Sequence, residues 1–456
     1  MLLPRGQTFR LIESLFLRLL GLVYLIAFAS LWPQIVGLVG ANGITPAAET
    51  LAAIHADYGW RAYLDVPSVF WLSPTDTALQ AICVLGCVAA LLLMLGVVVR
   101  SAAVAAYILY LSLVTIGQPF TSFQWDALLL ETGFLAIFAS SSLLPLAYRF
   151  LLFRLMFESG LVKLTSGDIN WRNLHALRYH FFTQPLPTPL AYYMQQAPTS
   201  LLDSLTLLTL LIELAVPFLL FAHPRRVRQI AASLLVLLQI FIALTGNYAF
   251  FNLLTLVLCL WALDDECLHD WAKWRAPALP LFPKANDIAV GLVVLLSVLQ
   301  IFALEPSFLD SFEIVNPYGL FAVMSTSRTE LVIEGSNDEL HWEVYSLRYK
   351  PGDLARSLPV VAPYQPRLDW QMWFAALGQP QNNLWTKTLV YRLLLGQTEV
   401  LSLLEPAPFA KPPRWIRIQA YSYNFTTLAQ RKGNGTIWQR TLLGTWFGPV
   451  SMVSKN

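Results

Sequence analysis

Nine apolar runs lie in the chain up to about residue 304 and predict a bundle of membrane-spanning helices. Several runs are shorter than the roughly 20 residues that a straight crossing needs, so the run at 150–164 is interpreted either as a crossing or as a re-entrant or buried helix. The first run is longer than a signal-peptide core and lacks a small-residue cleavage site, which favours a retained span. The runs are 15–36, 77–99, 102–118, 126–147, 150–164, 204–222, 229–246, 248–264 and 286–304.

Basic residues between the runs predict the orientation, because Lys and Arg are retained on the cytoplasmic side. If all nine runs cross and the N-terminus is inside, eleven basic residues lie in inside loops and three in outside loops before the last span. The loop at 165–203 and everything after residue 304 are then exoplasmic, in the periplasm of a bacterium or the lumen of the endoplasmic reticulum. The inside residues are Arg5, Arg10, Arg100, Arg149, Arg154, Arg225, Arg226, Arg228, Lys273, Arg275 and Lys284, and the outside ones are Arg61, Arg172 and Arg178.

Shorter apolar runs and alternation appear in the last part of the chain, 305–456, and predict a small exoplasmic α+β domain rich in strands. Two strands are expected on either side of a turn at Ser336–Asp338, and a third in RWIRIQAYSYNFT. The turn followed by His341 and Trp342 resembles the strand-turn-strand unit of discoidin-like jelly rolls. Between them RLDWQMWFAALG has an aromatic face at helical spacing, expected to rest on the membrane interface or the bundle.

Composition agrees with a polytopic membrane protein that is an α-helical bundle at 1–304 followed by this domain: 56% of residues are hydrophobic and only 13% are charged. A net charge of +2 gives no reason to expect a nucleic-acid partner. The sequence shows no glycine-rich phosphate loop and no metal-ligand spacing, so we expect neither a cofactor nor a metal. The four cysteines indicate no disulfide framework.

Four charged residues fall within the predicted spans, where each costs at least about 2.5–3.5 kcal/mol unless it is paired or hydrated. They are Glu131, Glu158, Lys163 and Glu213. Glu158 and Lys163 lie about 140° apart around a helix, so Lys163 is expected to meet Glu131 or Glu213 instead. Two interpretations stay open, a buried ion pair that fixes helix register and a site that handles protons or substrate.

The stretch from Phe157 to Pro189 concentrates charge in an otherwise apolar chain, and the chain is expected to be organised around it. Asp168 is expected to cap a short helix over about residues 171–182, and Asp126 to cap the fourth span. The prolines of TQPLPTP impose an extended segment, interpreted as a fixed wall, a peptide-docking surface or a plain connector. Together with the charged residues above, the candidate polar cluster contains Asp126, Asp168, Trp171, Arg172, His180 and Gln184.

Three segments carry a family resemblance. FESGLVKLTSGDINWRNL continuing into YHFFTQPLPTPLAYYMQQAP, FQWDALLLETGFLAIF, and APYQPRLDWQMWFAALG resemble the lipase maturation factor family. That family contains multi-pass membrane proteins of the endoplasmic reticulum with bacterial relatives, and the resemblance favours a bacterial-type member. It implies a chaperone-like factor in the bilayer that binds exported client proteins, possibly a lipase, and it supplies no catalytic residues.

Two other functions were weighed against this one. A looser similarity, based on intramembrane lysine and tryptophan-aspartate features, points to an integral-membrane enzyme similar to the vitamin K-dependent carboxylases, with Lys163 as the residue of interest. A transporter is disfavoured, because the sequence shows no inverted repeat or pair of broken helices. A ligand-sized cavity beside Lys163 would favour the enzyme, and a solid bundle would favour the binding factor.

Overall fold

A computed structural model describes residues 8–268, 283–304 and 306–452. The basic residues Arg5, Lys273 and Arg275 of the predicted inside loops lie outside these ranges. Up to residue 304 the described chain is helical, with short 3-10 turns between helices. The α-helices are α1 (Arg10–Leu31), α2 (Ile35–Val39), α3 (Ala47–Tyr58), α4 (Ala62–Asp65), α5 (Asp76–Leu95), α6 (Val99–Ile116), α7 (Gln124–Ala136), α8 (Leu144–Thr165), α9 (Ile169–Arg172), α10 (Leu177–Thr183), α11 (Pro189–Gln195), α12 (Thr199–Leu214), α13 (Arg225–Thr245), α14 (Phe251–Leu258) and α15 (Pro283–Ile301).

Six of these helices are long and apolar enough to cross a membrane: α1, α5, α6, α12 with its 3-10 extension to Phe221, α13 and α15. The predicted count of nine is therefore not confirmed. The fourth predicted run is divided, because α7 has only 13 residues and Ser140 adopts a left-handed conformation before α8 begins. Helix α8 is long, at 22 residues, but four charged side chains interrupt its apolar surface. The eighth run forms only a short apolar helix, Phe251–Ala262.

The centre of the bundle is closely packed because small residues let helices approach. Gly86 of α5 lies against the ring of Phe28 in α1, where a Cβ atom would come within 2.5 Å of three ring carbons. Phe28 and Tyr24 in turn pack edge-on against Tyr110 of α6. All three aromatic side chains are fully buried, so they form part of the apolar core of the bundle.

The C-terminal part contains a four-stranded antiparallel sheet in the order β2-β1-β3-β4. Its strands are β1 (Arg328–Ser336), β2 (Glu343–Tyr345), β3 (Trp415–Phe425) and β4 (Trp438–Ser451), and Ile333 faces Ile418 in the register of β1 and β3. The predicted strands around the Ser336 turn and in the segment after Arg414 are confirmed. A jelly roll is not confirmed, because residues 306–452 form this single sheet with helices α16 (Arg367–Ala375), α17 (Leu384–Leu394), α18 (Thr398–Leu401) and α19 (Leu428–Asn434).

The sheet domain sits on one end of the bundle. At that end Gln34 donates to the carbonyl of Gln365 at 2.8 Å, and Arg392 donates to the carbonyl of Gly43 at 3.0 Å. The predicted aromatic helix is α16, and its Trp370 packs edge-on against Trp125 of the bundle with ring centroids 4.7 Å apart. The loop after α1, the 165–203 segment and the C-terminal domain therefore share one end of the molecule.

Candidate functional site

Below the sheet domain, an internal cavity of about 80 Å³ lies among α8, α10, α12 and α13, and we call it the inner cavity. Its walls are mainly apolar, with one group of polar side chains on α8 and α12 and a second group on the opposite wall. The lining includes Trp125, Leu155, Met156, Ser159, Lys163, Trp171, His180, Thr209, Glu213, Leu238, Gln239, Ile242, Tyr248, Phe251 and Phe321.

Lys163 pairs with Glu213 on the facing helix, as one of the two predicted pairings requires. Its Nζ lies 2.8 and 3.0 Å from the two carboxylate oxygens and 3.1 Å from the carbonyl of Ser159, one helical turn back. An ammonium group has three donors, so these acceptors satisfy all of them. The ring of Trp171 lies 5.2 Å away and adds a cation–π contact. The pair is closed and carries no net charge.

His180 and Gln184 belong to a hydrogen-bonded chain on the opposite wall. Gln184 is buried and its amide nitrogen donates to the carbonyl of Thr245 at 2.9 Å. Its amide oxygen accepts from the hydroxyl of Tyr248 at 2.7 Å, and that hydroxyl lies 3.3 Å from Nε2 of His180. Burial, and secondly the positive charge of Lys163, lowers the pKa of His180 to about 4, so this imidazole is neutral at pH 7.

Glu131 does not belong to the inner cavity. It pairs with Arg154 and also accepts from the hydroxyl of Tyr318 at 2.8 Å and the amide of Asn316 at 2.9 Å. Glu158 accepts from the amide of Tyr318 at 2.9 Å. The two glutamates therefore hold the segment after α15 against α7 and α8.

Arg154 was assigned to an inside loop, and that assignment is wrong. Its side chain is fully buried in the middle of α8, where it also donates to Gln300 and to the carbonyl of Asn316. Arg149 and Arg228 were given to inside loops as well, and both are buried. Arg149 donates to the carbonyl of Trp261 at 2.6 Å. Counting charges between apolar runs cannot separate such residues from solvated loop residues.

Asp126 is not a helix cap, contrary to the sequence interpretation. Its two carboxylate oxygens accept from Arg367 of α16 at 2.8 and 2.9 Å, and one also accepts from the hydroxyl of Tyr110. Both members of the ion pair are buried. The carboxylate faces an arginine from the C-terminal domain rather than the free amides of its own helix. The adjacent Trp125 donates to the side chain of Gln365 at 2.8 Å, so two of the three family-like segments meet here.

Asp168 caps a short helix, as expected, but the helix is α9 alone. Its carboxylate accepts from the amide of Asn170 at 2.9 Å and from that of Met324 at 2.6 Å. The predicted single helix over 171–182 is wrong, because Leu174 adopts a left-handed conformation and separates α9 from α10. Arg172 is exposed and donates to the carbonyl of Leu164.

The TQPLPTP segment is a fixed wall under the sheet domain. Residues 183–188 are buried, so the segment offers no docking surface for a peptide. Arg328 of β1 donates to the carbonyls of Phe182, Gln184 and Pro185 and pairs with Glu330. Sequence reasoning missed Arg328. The sequence places Arg328 at the start of a strand, where an arginine is expected to point into solvent, so it gave no indication of the buried contacts.

A second cavity of about 350 Å³, which we call the outer groove, lies between α16 and residues 319–325. Seven of its sixteen lining residues are aromatic, and the exposed Val323, Phe374 and Leu377 form its rim. The outer groove and the inner cavity share four lining residues: Trp125, Tyr248, Leu320 and Phe321. The two spaces therefore adjoin at these four residues.

Comparisons with known proteins agree over both parts of the chain. A family model described as "Lipase maturation factor transmembrane domain" matches residues 11–270, and one described as "Lipase maturation factor C-terminal domain" matches residues 314–448. "Lipase maturation factor 2" of Gallus gallus is 33% identical over 98% of this chain and 82% of its own length. The Homo sapiens "Lipase maturation factor 2" is 34% identical over 97% and 83%, and "Lipase maturation factor 1" of Bos taurus is 33% identical over 98% and 90%. No solved structure matches the chain.

Proposed function

The chain belongs to the lipase maturation factor family, and from this premise we propose that it acts within a membrane to help exported lipases reach their folded, active state. The observation that carries the proposal is the extent of the similarity. It covers the transmembrane and C-terminal family domains together, and 98% of this chain aligns with relatives named for lipase maturation.

We further propose nine crossings with the C-terminal domain on the exoplasmic side. Contacts support opposite directions for α1 and α7. Helix α7 begins beside α16, and Ser140, which follows α7, donates its amide to Glu13 in the first turn of α1. An odd number of crossings is needed if the sheet domain and the N-terminus are to lie on opposite sides. Arg225 and Arg226, at the end away from the sheet domain, agree with a cytoplasmic position for that end.

The alternative of a carboxylase-like enzyme is not favoured. Each relative reported above carries the name of a maturation factor. A cavity is present beside Lys163, which by itself would suit an enzyme. However, all three N–H donors of the Lys163 ammonium are used by Glu213 and the carbonyl of Ser159, so this lysine is not placed to act as a general base.

The test is to express the full chain, targeted to the endoplasmic reticulum, in cells that lack their own lipase maturation factors and that secrete a reporter lipase. The quantity measured is lipase activity per mass of secreted lipase, with a secreted phosphatase as the control client. We expect the specific activity of the lipase to rise and that of the phosphatase to stay constant. Equal effects on both enzymes, or no effect on the lipase, would reject the proposal.

A further inference from the structure

The hydrogen bonds around Gln184 determine which nitrogen of His180 carries the proton. Because the Gln184 amide nitrogen donates to main-chain carbonyls, its oxygen must be the acceptor that faces Tyr248. The Tyr248 hydroxyl donates its hydrogen bond to that oxygen, so it can only accept a hydrogen bond from Nε2 of His180. A neutral imidazole with a proton on Nε2 has an unprotonated Nδ1.

This Nδ1 is a free hydrogen-bond acceptor. Among the described residues it forms no hydrogen bond, and His180 lines the inner cavity. A second unsatisfied polar atom lies along the outer groove: Nε1 of Trp370, which is buried and has no acceptor among the described residues. Buried polar groups such as Nε1 of Trp370 are normally paired, and His180, although only half-buried, leaves its Nδ1 without a partner among the described residues. An open acceptor and an open donor along adjoining cavities indicate a ligand with a hydroxyl and an ether or carbonyl oxygen.

The remaining surroundings indicate that the ligand carries no net charge. Lys163 and Glu213 neutralise each other at 2.8 Å, and the low pKa of His180 keeps that ring neutral. A charged group placed here would be buried without a counter-ion, which costs far more than burying a hydrogen-bonded hydroxyl. Leu155, Leu238, Ile242 and Phe251 give the inner cavity its apolar walls.

From this geometry we propose that the inner cavity and the outer groove bind one neutral single-chain lipid, whose hydroxyl donates to Nδ1 of His180 and whose chain runs past Phe321 along the outer groove. The two spaces lie in series and share Trp125, Tyr248, Leu320 and Phe321, so they suit one elongated molecule. The exposed Phe374 and Leu377 continue the apolar path to the rim of the groove. This inference is independent of the proposed action on lipases.

The probe is a monoacylglycerol with a photoreactive diazirine and an alkyne in its acyl chain, added to the full-length protein in phosphatidylcholine nanodiscs. Adducts on the wild-type protein are mapped by mass spectrometry. We expect saturable labelling of residues that line the two cavities, such as Phe251 and Phe321. Adducts confined to bilayer-facing positions such as Leu237, or labelling that does not saturate, would overturn the proposal.

Competitors test the chemistry of the head group. Unlabelled monoacylglycerol is expected to abolish labelling, whereas the fatty-acid methyl ester, which has no hydroxyl, and the negatively charged fatty acid are each expected to compete about 10-fold less well. Equal competition by the fatty acid would reject the neutral site. Equal competition by the methyl ester would reject the hydrogen bond to His180. Competition by cholesterol but by none of the single-chain lipids would reject a single-chain lipid as the ligand.

Variants test the location. Leu238→Trp fills the inner cavity and is expected to reduce labelling at least 5-fold, whereas Leu237→Trp, on the exposed side of α13, is the matched control and should leave it unchanged. His180→Phe keeps a ring but removes the acceptor, with an expected loss of about 5- to 10-fold. If Leu238→Trp unfolds the protein, the location is tested by the adduct map of the wild-type protein and by the labelling of His180→Phe. Normal labelling of His180→Phe would overturn the proposal.

Discussion

Asp126 and Arg367 form a two-pronged, fully buried ion pair, with oxygen-to-nitrogen distances of 2.8 and 2.9 Å, although 241 residues separate them in the chain. One belongs to the helical bundle and the other to the first helix of the C-terminal domain. The pair fixes the position of α16, and with it Trp370 and the wall of the outer groove. The lipid site proposed above therefore depends on a contact between two parts that sequence analysis treats as separate domains.

Arg367→Met is expected to destabilise the protein by about 3–5 kcal/mol, because it leaves the carboxylate of Asp126 buried without its partner. The measurement is thermal or denaturant unfolding in detergent. Arg178→Met is the matched control, since its pair with Asp203 is exposed to solvent and screened, so its loss is expected to cost far less. A second change, Asp126→Asn in the Arg367→Met background, should recover part of the loss. Equal effects of the two arginine variants would contradict the assigned role.

Lys163→Met tests whether the pair with Glu213 serves the structure. The substitution leaves a buried carboxylate unpaired, so we expect a loss of about 3–5 kcal/mol and a lower abundance in the membrane. Lipase maturation per molecule should be retained. Abundance is followed by quantitative blotting, and the maturation assay gives the activity. Normal abundance with lost maturation would instead assign the lysine a functional role.

His180 is expected to make stability fall with acid. Its pKa is about 4 in the folded protein and 6.5 when unperturbed, so between these values the unfolded chain binds more protons than the folded one. Stability therefore rises with pH through this window, is fully present above about 6.5 and is lost as the pH falls towards 4. Unfolding midpoints from pH 4 to 7 measure the slope. In His180→Phe the slope of stability against pH should decrease by the contribution of one proton. An unchanged slope would contradict the low pKa of His180 in the folded protein.

The orientation of the bundle is tested with single cysteines at exposed positions. Leu340 lies in the turn region between β1 and β2, and Arg226 lies at the end of the bundle away from the sheet domain. In a background with the native cysteines replaced by serine, Leu340→Cys should react with an impermeant maleimide from the exoplasmic side and Arg226→Cys only after permeabilisation. Labelling of both from outside would reject the topology.

The sequence was sufficient to predict that Lys163 pairs with Glu131 or Glu213, because a charge in an apolar helix requires a partner and helical geometry excluded Glu158. The choice of Glu213 came only from the structure. It was not sufficient for Asp126. A carboxylate near the first turn of a helix has a local explanation as a cap, and nothing in a single sequence indicates an arginine 241 residues away. The assignment of Arg154 to an inside loop was wrong for a related reason, because its buried contacts with Glu131, Gln300 and Asn316 depend on tertiary structure.

Secondary structure was likewise predictable where the local sequence pattern was clear and not where it depended on tertiary structure. Elements with a clear pattern, such as α13 and β3, were predicted near their observed bounds, whereas the first run, 15–36, is displaced by five residues at each end from α1. The break between α9 and α10 was missed, because the left-handed conformation of Leu174 has no glycine or proline to announce it. The single sheet was also unpredictable, since local strand patterns do not specify how many sheets they form.

The long separation of Asp126 and Arg367 has a consequence for biosynthesis. At roughly 5–20 residues per second, a ribosome needs on the order of tens of seconds to add the intervening residues. During that time the newly inserted α7 carries a carboxylate whose arginine does not yet exist, and Glu131 likewise precedes Asn316 and Tyr318. A nascent chain truncated before residue 367 would leave the bundle with an unpaired buried charge. Until its C-terminal third is made, the unfinished chain therefore has to keep the carboxylate on α7 hydrated, protonated or covered by another protein.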